Sequence, residues 1–301
     1  MREQQSKPRI EPRAGERPWP QLHEAVERLK RVYHGFSAVS WLYTDLITRL
    51  AIAQSFLRSG LVKVSDWDKA VFLASQEYPI AWISPTIAAL GGMAIEIIGP
   101  ILLVIGFRTR LASFAMAALL VVSQFVYVPT TSNLYLIALL GWYALSGPGP
   151  FSLDLTVGRA GAGRAAMLST WIGRHGAPFW MLLVRLWLAL GLLAAAGAFE
   201  PGVGLATWLA TTTFSEIPAV GAYALAAALI LGLGTTAVAF AVTLAVGLIM
   251  VAGLHPDVTY HPILLLALYE ARGPGLAALD NAIERKFEWF AFFLVRPHAF
   301  R

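Results

Sequence analysis

The sequence predicts an all-α membrane protein with about eight transmembrane helices, arranged as two parallel-repeat four-helix bundles and preceded by an N-terminal amphipathic helix. The first observation behind this fold class is composition: 57% of the residues are hydrophobic and 14% charged, against about 45–50% and 25% in soluble domains. The second is a series of apolar stretches that approach the roughly 20 residues needed to span a hydrocarbon core. The third is a motif that occurs twice along the chain.

The first 42 residues are polar and basic and precede the first long apolar stretch. Residues 1–20 are charged and contain proline, which is typical of a disordered tail. Between residues 21 and 36 apolar side chains recur every three or four positions, which predicts an amphipathic helix on the membrane surface or against the bundle. Because this region has no apolar core of 7–15 residues, we expect no cleavable signal peptide. We therefore assign residues 1–42 to a cytoplasmic tail and an amphipathic helix.

Eight apolar stretches follow, four on each side of a segment rich in glycine and arginine. We predict membrane helices at about 43–62, 82–106, 111–128, 134–146, 179–199, 218–234, 236–254 and 262–271. The corresponding domains are a four-helix module at 43–155, a basic cytoplasmic linker at 156–178, a second, diverged module at 179–281 and a cytoplasmic tail at 282–301.

The positions of lysine and arginine predict the orientation of these helices. Of the 23 such residues, eight precede the first helix, two lie between the second and third helices, three lie in the central linker and five follow the last helix. An eight-helix arrangement places all eighteen on one side and leaves only Lys63 and Lys69 on the other. Since positive residues favour the cytoplasmic side, we expect a multi-pass protein with both termini in the cytoplasm.

A repeated motif divides the chain into two halves. GPGPFSLDLTVGR at 147–159 is echoed 126 residues later by GPGLAALDNAIER at 273–285, and Arg49 has a counterpart in Arg185. Four helices in each half would make the halves parallel repeats about an axis along the membrane normal. Adding 126 to Glu96 gives Ala222. Any function that depends on this charge is therefore expected in the first module, with the second as scaffold.

Composition also limits the chemistry of the chain. There are no cysteines, which excludes disulfides, Cys₄ iron–sulfur clusters and thiol redox chemistry carried by this chain. The isoelectric point is near 9.6, but the positive charges flank apolar segments, so we expect the lipid bilayer rather than nucleic acid as the partner. No Walker loop, dinucleotide fingerprint, nucleophile elbow or haem-attachment motif occurs.

The order of motifs in the first half resembles the DoxX family of small four-helix bacterial membrane proteins. The likeness rests on Arg49, FLRSGLVKVSDWDKAV at 56–71, EYPIAW at 77–82, IEIIGPILLVIGFRTRLAS at 95–113 and GPGPFSLD at 147–154. It covers residues 43–159, and the second half only through its arginine and its closing motif.

This resemblance implies an integral subunit of a membrane redox or quinone-linked system, similar to the membrane subunit of thiosulfate:quinone oxidoreductase, in the bacterial cytoplasmic (inner) membrane. If the chain takes part in an enzyme, it would be a quinone-linked oxidoreductase subunit. No intrinsic cofactor is evident, so a quinone and a redox partner protein would carry the electrons. Two other functions are considered: a small-molecule carrier, suggested by parallel repeats around a buried charge, and a non-catalytic assembly or scaffold protein.

Glu96 is the leading candidate for a catalytic residue, together with Arg49. A charged side chain inside the membrane costs about 2.5–3.5 kcal/mol on insertion scales, so it usually faces a partner or a function. Glu96 lies roughly 18 Å from the cytoplasmic face at about 1.5 Å per residue. Arg49 and Arg58 point to opposite faces of the first helix, and we favour Arg49 as the partner, although Asp45 is also in reach of it. The pair is interpreted either as a structural ion pair or as a proton-transfer or ligand-binding site, for example for a quinone head group.

Further candidates are weaker. A quinone or ligand pocket would draw on Arg58, on Lys63 in the predicted outer loop, and on Gln124 and Tyr127, which share a face of the third helix. The alternative for the last two is contact with a neighbouring helix. His255, Asp257 and His261 are weak candidates for a metal site, because histidine and carboxylate ligands suit divalent metals; solvated loop residues are the alternative.

Overall fold

The computed structural model describes residues 20–76, 83–126, 130–147, 149, 151–154, 164–199, 218–235, 239, 264–265, 268–269, 272 and 275–280, and within 20–43 the side chain of Arg28 only. Across these residues the chain is helical and contains no strand. The helices are α1 Pro20–Ser65, α2 Trp67–Gln76, α3 Pro85–Ile105, α4 Thr109–Val126, α5 Thr131–Ser146, α6 Arg164–Ala195 and α7 Ala219–Leu231. The all-helical class is confirmed for this part of the chain.

Among the described residues, two helices are long and apolar enough to cross a membrane, Pro85–Ile105 and Thr170–Ala194. Three shorter apolar helices cover Thr109–Phe125, Ser132–Ser146 and Ala219–Leu231. The first candidate span is α3, and it is exposed along most of its length: Ile87, Leu90, Ile98, Ile101 and Ile105 are all open to the surroundings. An apolar helix with an apolar outer surface is stable in lipid rather than in water.

The predicted helices differ from the observed ones mainly at their ends. Separate helices were expected at 21–36 and 43–62, but α1 runs unbroken through both, over 46 residues. The short helix α2 occupies the expected outer loop, and α6 starts at Arg164, inside the segment expected to be a linker, and passes through Pro178. Helices α3, α4, α5 and α7 confirm four predicted helices. Most of the two expected at 236–254 and 262–271 lies outside the described residues, and the total of eight stays a prediction.

The turn between α3 and α4 is tight because α3 ends in a left-handed cap. The amide of Gly106, which has φ of 71°, bonds the carbonyl of Leu103. The amide of Phe107 bonds the carbonyl of Leu102 at 3.0 Å. These two bonds satisfy carbonyls that the helix end would otherwise leave unpaired. At the other end Ser84 caps α3, with its hydroxyl accepting from the amide of Ile87, and Pro85 begins the helix.

The core lies where neighbouring helices pack: α1 on α3, α3 on α4, α4 on α5, α5 on α6, and α6 on α7. The contact between α5 and α6 depends on Gly141, since a Cβ built there would lie 2.3 Å from the ring of Trp180. The indole of Trp180 donates to the carbonyl of Ala138 at 2.8 Å, which holds the ring in that place. One turn away, the rings of Tyr135 and Trp187 meet edge to face.

We predict that Gly141→Ala separates α5 from α6 and destabilises the protein. The indole is fixed by its hydrogen bond, so the added methyl group costs about 1–3 kcal/mol of overpacking. The measurement is thermal unfolding of the purified protein in mild detergent, followed by size-exclusion chromatography. Gly91→Ala is the matched control, because a Cβ there meets no atom within 4 Å. Equal loss of stability in both variants would contradict the proposed contact.

Candidate functional site

The buried polar residues of α1 lie along one side of this helix. Its buried residues recur every three or four positions: Asp45, Thr48, Arg49, Ile52, Ala53, Phe56 and Gly60. This spacing keeps them on the side of α1 that faces the other helices. Arg58 falls outside this set and is exposed. Helical phase therefore turns Arg58 away from the bundle, whereas Lys63 continues the set one turn beyond Gly60.

Glu96 forms the first of two polar clusters, which we call the Glu96 cluster and define as Ser59, Lys63 and Glu96. The ammonium of Lys63 lies 2.6 Å from Glu96 Oε1, and the hydroxyl of Ser59 donates to the same oxygen at 3.1 Å. Glu96 is only 7% exposed, whereas the side chain of Lys63 is 31% exposed. The cluster therefore joins a buried carboxylate to a partly exposed cation.

The predicted pairing of Glu96 with Arg49, or with Arg58, is wrong. Gly60 sets the level at which α1 meets α3, because a Cβ built there would lie 3.1 Å from the Cβ of Glu96. Arg49 lies eleven residues earlier, about 16 Å away along the helix axis. The prediction ended the first helix at residue 62 and assigned Lys63 to a loop. Helix α1 continues to Ser65, which carries Lys63 onto the same face as Ser59.

The second carboxylate oxygen of Glu96 has a different environment. Oε2 is buried and has no hydrogen-bond partner among the residues that the structure describes. A buried acceptor without a donor is costly, at about 1–3 kcal/mol or more for a charged group, and such groups are rare. Oε2 can therefore accept one more hydrogen bond, from a donor outside the described residues.

Arg49 is the centre of the second cluster, which we call the Arg49 cluster and define as Asp45, Arg49, Tyr143 and the carbonyl of Phe151. The guanidinium donates to Asp45 Oδ2 at 2.6 Å and to the carbonyl of Phe151 at 2.7 Å. Tyr143 donates its hydroxyl proton to Asp45 Oδ1 at 3.0 Å, and its ring lies 5.8 Å from the guanidinium carbon. Asp45, Arg49 and Tyr143 are all buried.

Asp154, the last residue of the closing motif GPGPFSLD, is hydrogen-bonded to the turn between α3 and α4. Asp154 accepts hydrogen bonds from the amides of Arg108 at 2.8 Å and Thr109 at 2.9 Å, and from the hydroxyl of Thr109 at 3.0 Å. Its own amide donates to the carbonyl of Gly106 at 2.9 Å. A carboxylate at a helix N-terminus satisfies free amides and opposes the positive end of the helix dipole. Asp154 thus caps α4 from a distant part of the chain.

Glycine allows this motif to approach the Arg49 cluster. A Cβ at Gly149 would lie 2.0 Å from Asp45 Oδ2, and one at Gly106 would lie 2.3 Å from the Cβ of Ser152. Arg49 and Asp154, two residues that carried the family resemblance, are therefore both bonded through the segment 151–154, to the carbonyl of Phe151 and to the α3–α4 turn. The sequence marked Arg49 and Asp154 as motif residues, but it contained no sign that the carbonyl of Phe151 would join them.

The same hydrogen-bond pattern occurs a second time, around Arg185. Arg185 donates to the carbonyls of Leu276 and Ala277, each at 3.1 Å. Asp280 accepts from the amides of Gly234 at 2.7 Å and Thr235 at 3.0 Å. The amide of Asp280 donates to the carbonyl of Gly232, and Gly232, like Gly106, has a positive φ, here 62°. The residue four positions before Arg185, which corresponds to Asp45, is Met181, and its backbone carbonyl accepts from the hydroxyl of Tyr269.

The remaining candidates do not join either cluster. Gln124 is buried and its carbonyl accepts from the amide of Thr130 at 3.0 Å, which closes the turn between α4 and α5. Tyr127, His255, Asp257 and His261 lie outside the described residues. Within the part of the chain that is described, no group of three His, Cys, Asp or Glu residues could hold a metal ion. The roles proposed for these residues remain predictions.

Comparison with known protein families gives a match over part of the chain. The model of the DoxX family matches residues 44–128. The chain carries a DoxX domain. The match includes Arg49, Lys63, Glu96 and the α3–α4 turn, and it ends before Tyr143 and Asp154. No curated protein and no solved structure matches the chain. The DoxX domain and its apolar helices together indicate a membrane protein, and the resemblance to the family is confirmed.

We predict that Asp154→Ala destabilises the DoxX domain by about 2 kcal/mol, because it removes a helix cap with three hydrogen bonds. The matched control is Asp68→Ala, in the first turn of α2, where the carboxylate is exposed. Unfolding by heat and by denaturant in detergent would measure the difference. Indistinguishable midpoints for the two variants would show that the cap does not hold the turn.

A second prediction concerns the buried pair of Arg49 and Asp45. Arg49→Met leaves the Asp45 carboxylate buried without its cation, for which a loss of about 3–5 kcal/mol is expected. Adding Asp45→Asn to that variant should recover part of the loss. A double-mutant cycle measured by thermal unfolding gives the coupling directly. Arg58→Met, at an exposed position on the same helix, serves as the control, and additive effects of the two buried substitutions would contradict the pairing.

Proposed function

We propose that this protein is a membrane subunit of a redox system, and that the Glu96 cluster of its DoxX domain binds the head group of a quinone. The observation that carries the proposal is the unpaired acceptor Oε2 of Glu96, in a carboxylate already joined to Lys63. In the Arg49 cluster both oxygens of Asp45 and both terminal nitrogens of Arg49 are bonded to neighbouring groups. The buried Nε of Arg49 has no partner among the described residues, but it is a donor, so no carboxylate oxygen of this cluster is left open.

The donors and acceptors of the Glu96 cluster fit the chemistry of a quinone couple. A bound quinone would supply the ring that takes up and releases electrons. The chain has no cysteine, so it has no thiol that could do this. Lys63 can donate a hydrogen bond to a ring oxygen, and Glu96 can accept one. The position of the cluster between apolar helices α1 and α3 suits a ligand that arrives from the lipid.

The electrons must then pass to or from another protein. We propose a redox partner protein in this role, because a bound quinone needs a second redox centre with which to exchange electrons. The site would belong to an oxidoreductase complex, of the kind represented by thiosulfate:quinone oxidoreductase, with this chain as its membrane subunit. The distribution of basic residues supports a location in a bacterial cytoplasmic membrane with both termini in the cytoplasm.

We further propose that the second half of the chain is a diverged copy of the DoxX domain that serves as scaffold. The hydrogen bonds around Arg185 and Asp280 support this, since they match those around Arg49 and Asp154. Ala222 is buried in α7 at the position that corresponds to Glu96. Because the second half lacks this carboxylate, we propose one quinone-binding site in each chain.

A non-catalytic assembly protein is the second candidate function. It is supported by the Arg49 cluster and its counterpart around Arg185, whose described hydrogen bonds all hold segments of the chain together. In that case Lys63 and Glu96 would form one more structural pair. The two functions differ in whether the purified protein retains a quinone, and in what happens to it when Glu96 loses its charge.

We predict that Glu96→Gln lowers the quinone retained by the purified protein about tenfold while leaving it folded. The amide keeps the size of the side chain, but it is neutral and weakens the charged hydrogen bonds, each of which contributes about 1.5–3 kcal/mol. The protein is purified in lipid nanodiscs from native membranes, and the quinone content is measured by mass spectrometry. Arg58→Gln, at an exposed position of α1, is the matched control. Unchanged quinone content in Glu96→Gln, with a lower unfolding temperature only, would favour the assembly protein.

A further inference from the structure

Two adjacent glycines in α3, Gly91 and Gly92, leave space next to the Glu96 cluster. Glycine inside a helix is destabilising relative to alanine, and in membrane proteins close helix contact is the usual reason for it. Gly60 and Gly99 fit that reason, because a Cβ at either would lie 2.8 Å from a neighbouring side chain. At Gly91 and Gly92 an added Cβ meets no atom within 4 Å. These two glycines therefore do not serve contact with any helix that the structure describes.

Gly92 and Glu96 share one face of α3. They are four residues apart, so their directions around the helix axis differ by only about 40°, and helical side chains lean toward the N-terminus of their helix. The carboxylate of Glu96 therefore leans toward the turn that contains Gly92. Gly91 points about 140° away from Glu96 by the same geometry. The open space at Gly92, but not that at Gly91, adjoins the carboxylate.

The free oxygen limits which ligand can use that space. Oε1 of Glu96 already accepts from Lys63 and Ser59, whereas Oε2 has no donor among the described residues. An ionised carboxylate accepts hydrogen bonds and donates none. The two ring oxygens of a quinone are also acceptors, but in the reduced form, the quinol, each carries a hydroxyl proton. Only the quinol can donate to Oε2.

We infer that Gly92 and Glu96 form a slot that selects the reduced form of a quinone: the ring lies beside Gly92 and one hydroxyl donates to Glu96 Oε2. This inference rests on the proposed function and makes it more specific. Gly92 determines whether the ring fits, and Glu96 determines which redox form binds tightly. Tighter binding of the quinol than of the quinone raises the midpoint potential of the bound couple, which favours electron flow from the redox partner protein into the quinone.

The test compares the two redox forms of one short-chain quinone, decylubiquinone and its quinol, under anaerobic conditions. Equilibrium binding is measured on the full chain in nanodiscs that contain no native quinone. We expect the wild type to bind the quinol at least tenfold more tightly than the quinone, as one hydrogen bond to a charged acceptor predicts. In Glu96→Gln the ratio should fall below about threefold, because the amide can donate as well as accept.

The slot is tested by a series of substitutions at Gly92. Binding of both forms should weaken progressively from Gly92→Ala to Gly92→Val and Gly92→Leu, with a loss of at least tenfold for the largest side chain. Gly91→Leu is the matched control and should bind like the wild type. If either Gly92→Val or Gly92→Leu folds, that variant alone is sufficient to test the slot. Folding is checked by the unfolding temperature.

The possible results separate this inference from the proposed function. Equal affinity of the wild type for quinone and quinol overturns the redox selectivity, while binding lost in Glu96→Gln still supports the quinone site. Unchanged binding in folded Gly92→Leu overturns the slot alone. Absence of binding of either form to the wild type overturns the proposed function, and this inference with it.

Discussion

The burial of the Arg49 guanidinium is the interaction on which the rest of the DoxX domain depends. A cation enclosed by apolar helices requires a counter-charge and hydrogen-bond acceptors. Asp45 supplies the charge and one acceptor, the carbonyl of Phe151 is a second acceptor, and Tyr143 donates to Asp45 and holds it in place. These groups come from α1, from α5 and from the segment after α5. One side chain thereby ties the start of the domain to its end. Asp154, three residues after Phe151, then holds the turn between α3 and α4, so the position of α3 also depends on it.

The second cluster follows from this arrangement and has a different character. Once α3 is held at the end near Gly106, its contact with α1 at Gly60 places Glu96 beside Lys63. In the Arg49 cluster the acceptors of Asp45 are both used and the side chains are closed off, which is typical of a structural element. In the Glu96 cluster one acceptor is unused and the cation is partly exposed. The chain therefore separates its structural ion pair from its candidate functional one by about 21 Å along α1, from Arg49 to Lys63.

Sequence reasoning succeeded where the information was local and failed where it depended on helix ends or on distant backbone. Apolar stretches predicted α3, α4, α5 and α7, and the spacing of Asp45 and Arg49 made their pairing visible. The partner of Glu96 was missed because the charged residues from Lys63 onward favoured an early end of α1, whereas Lys63 is satisfied by Glu96 and the helix continues. The contact of Arg49 with the carbonyl of Phe151 could not be predicted, because every residue has such a carbonyl and only the folded loop selects one.

The length of α1 has a mechanical consequence. Its 46 residues extend about 69 Å at 1.5 Å per residue, more than twice the roughly 30 Å of a hydrocarbon core. Arg49 divides α1 into two parts of unequal length. Lys63 lies about 21 Å from Arg49 toward the end of the helix, and Pro20 lies about 44 Å away toward its start. A tilt of about 5° around Arg49 that shifts Lys63 by roughly 2 Å would displace the far end by about 4 Å. By this rigid-rod geometry, the far end of α1 would move about twice as far as Lys63.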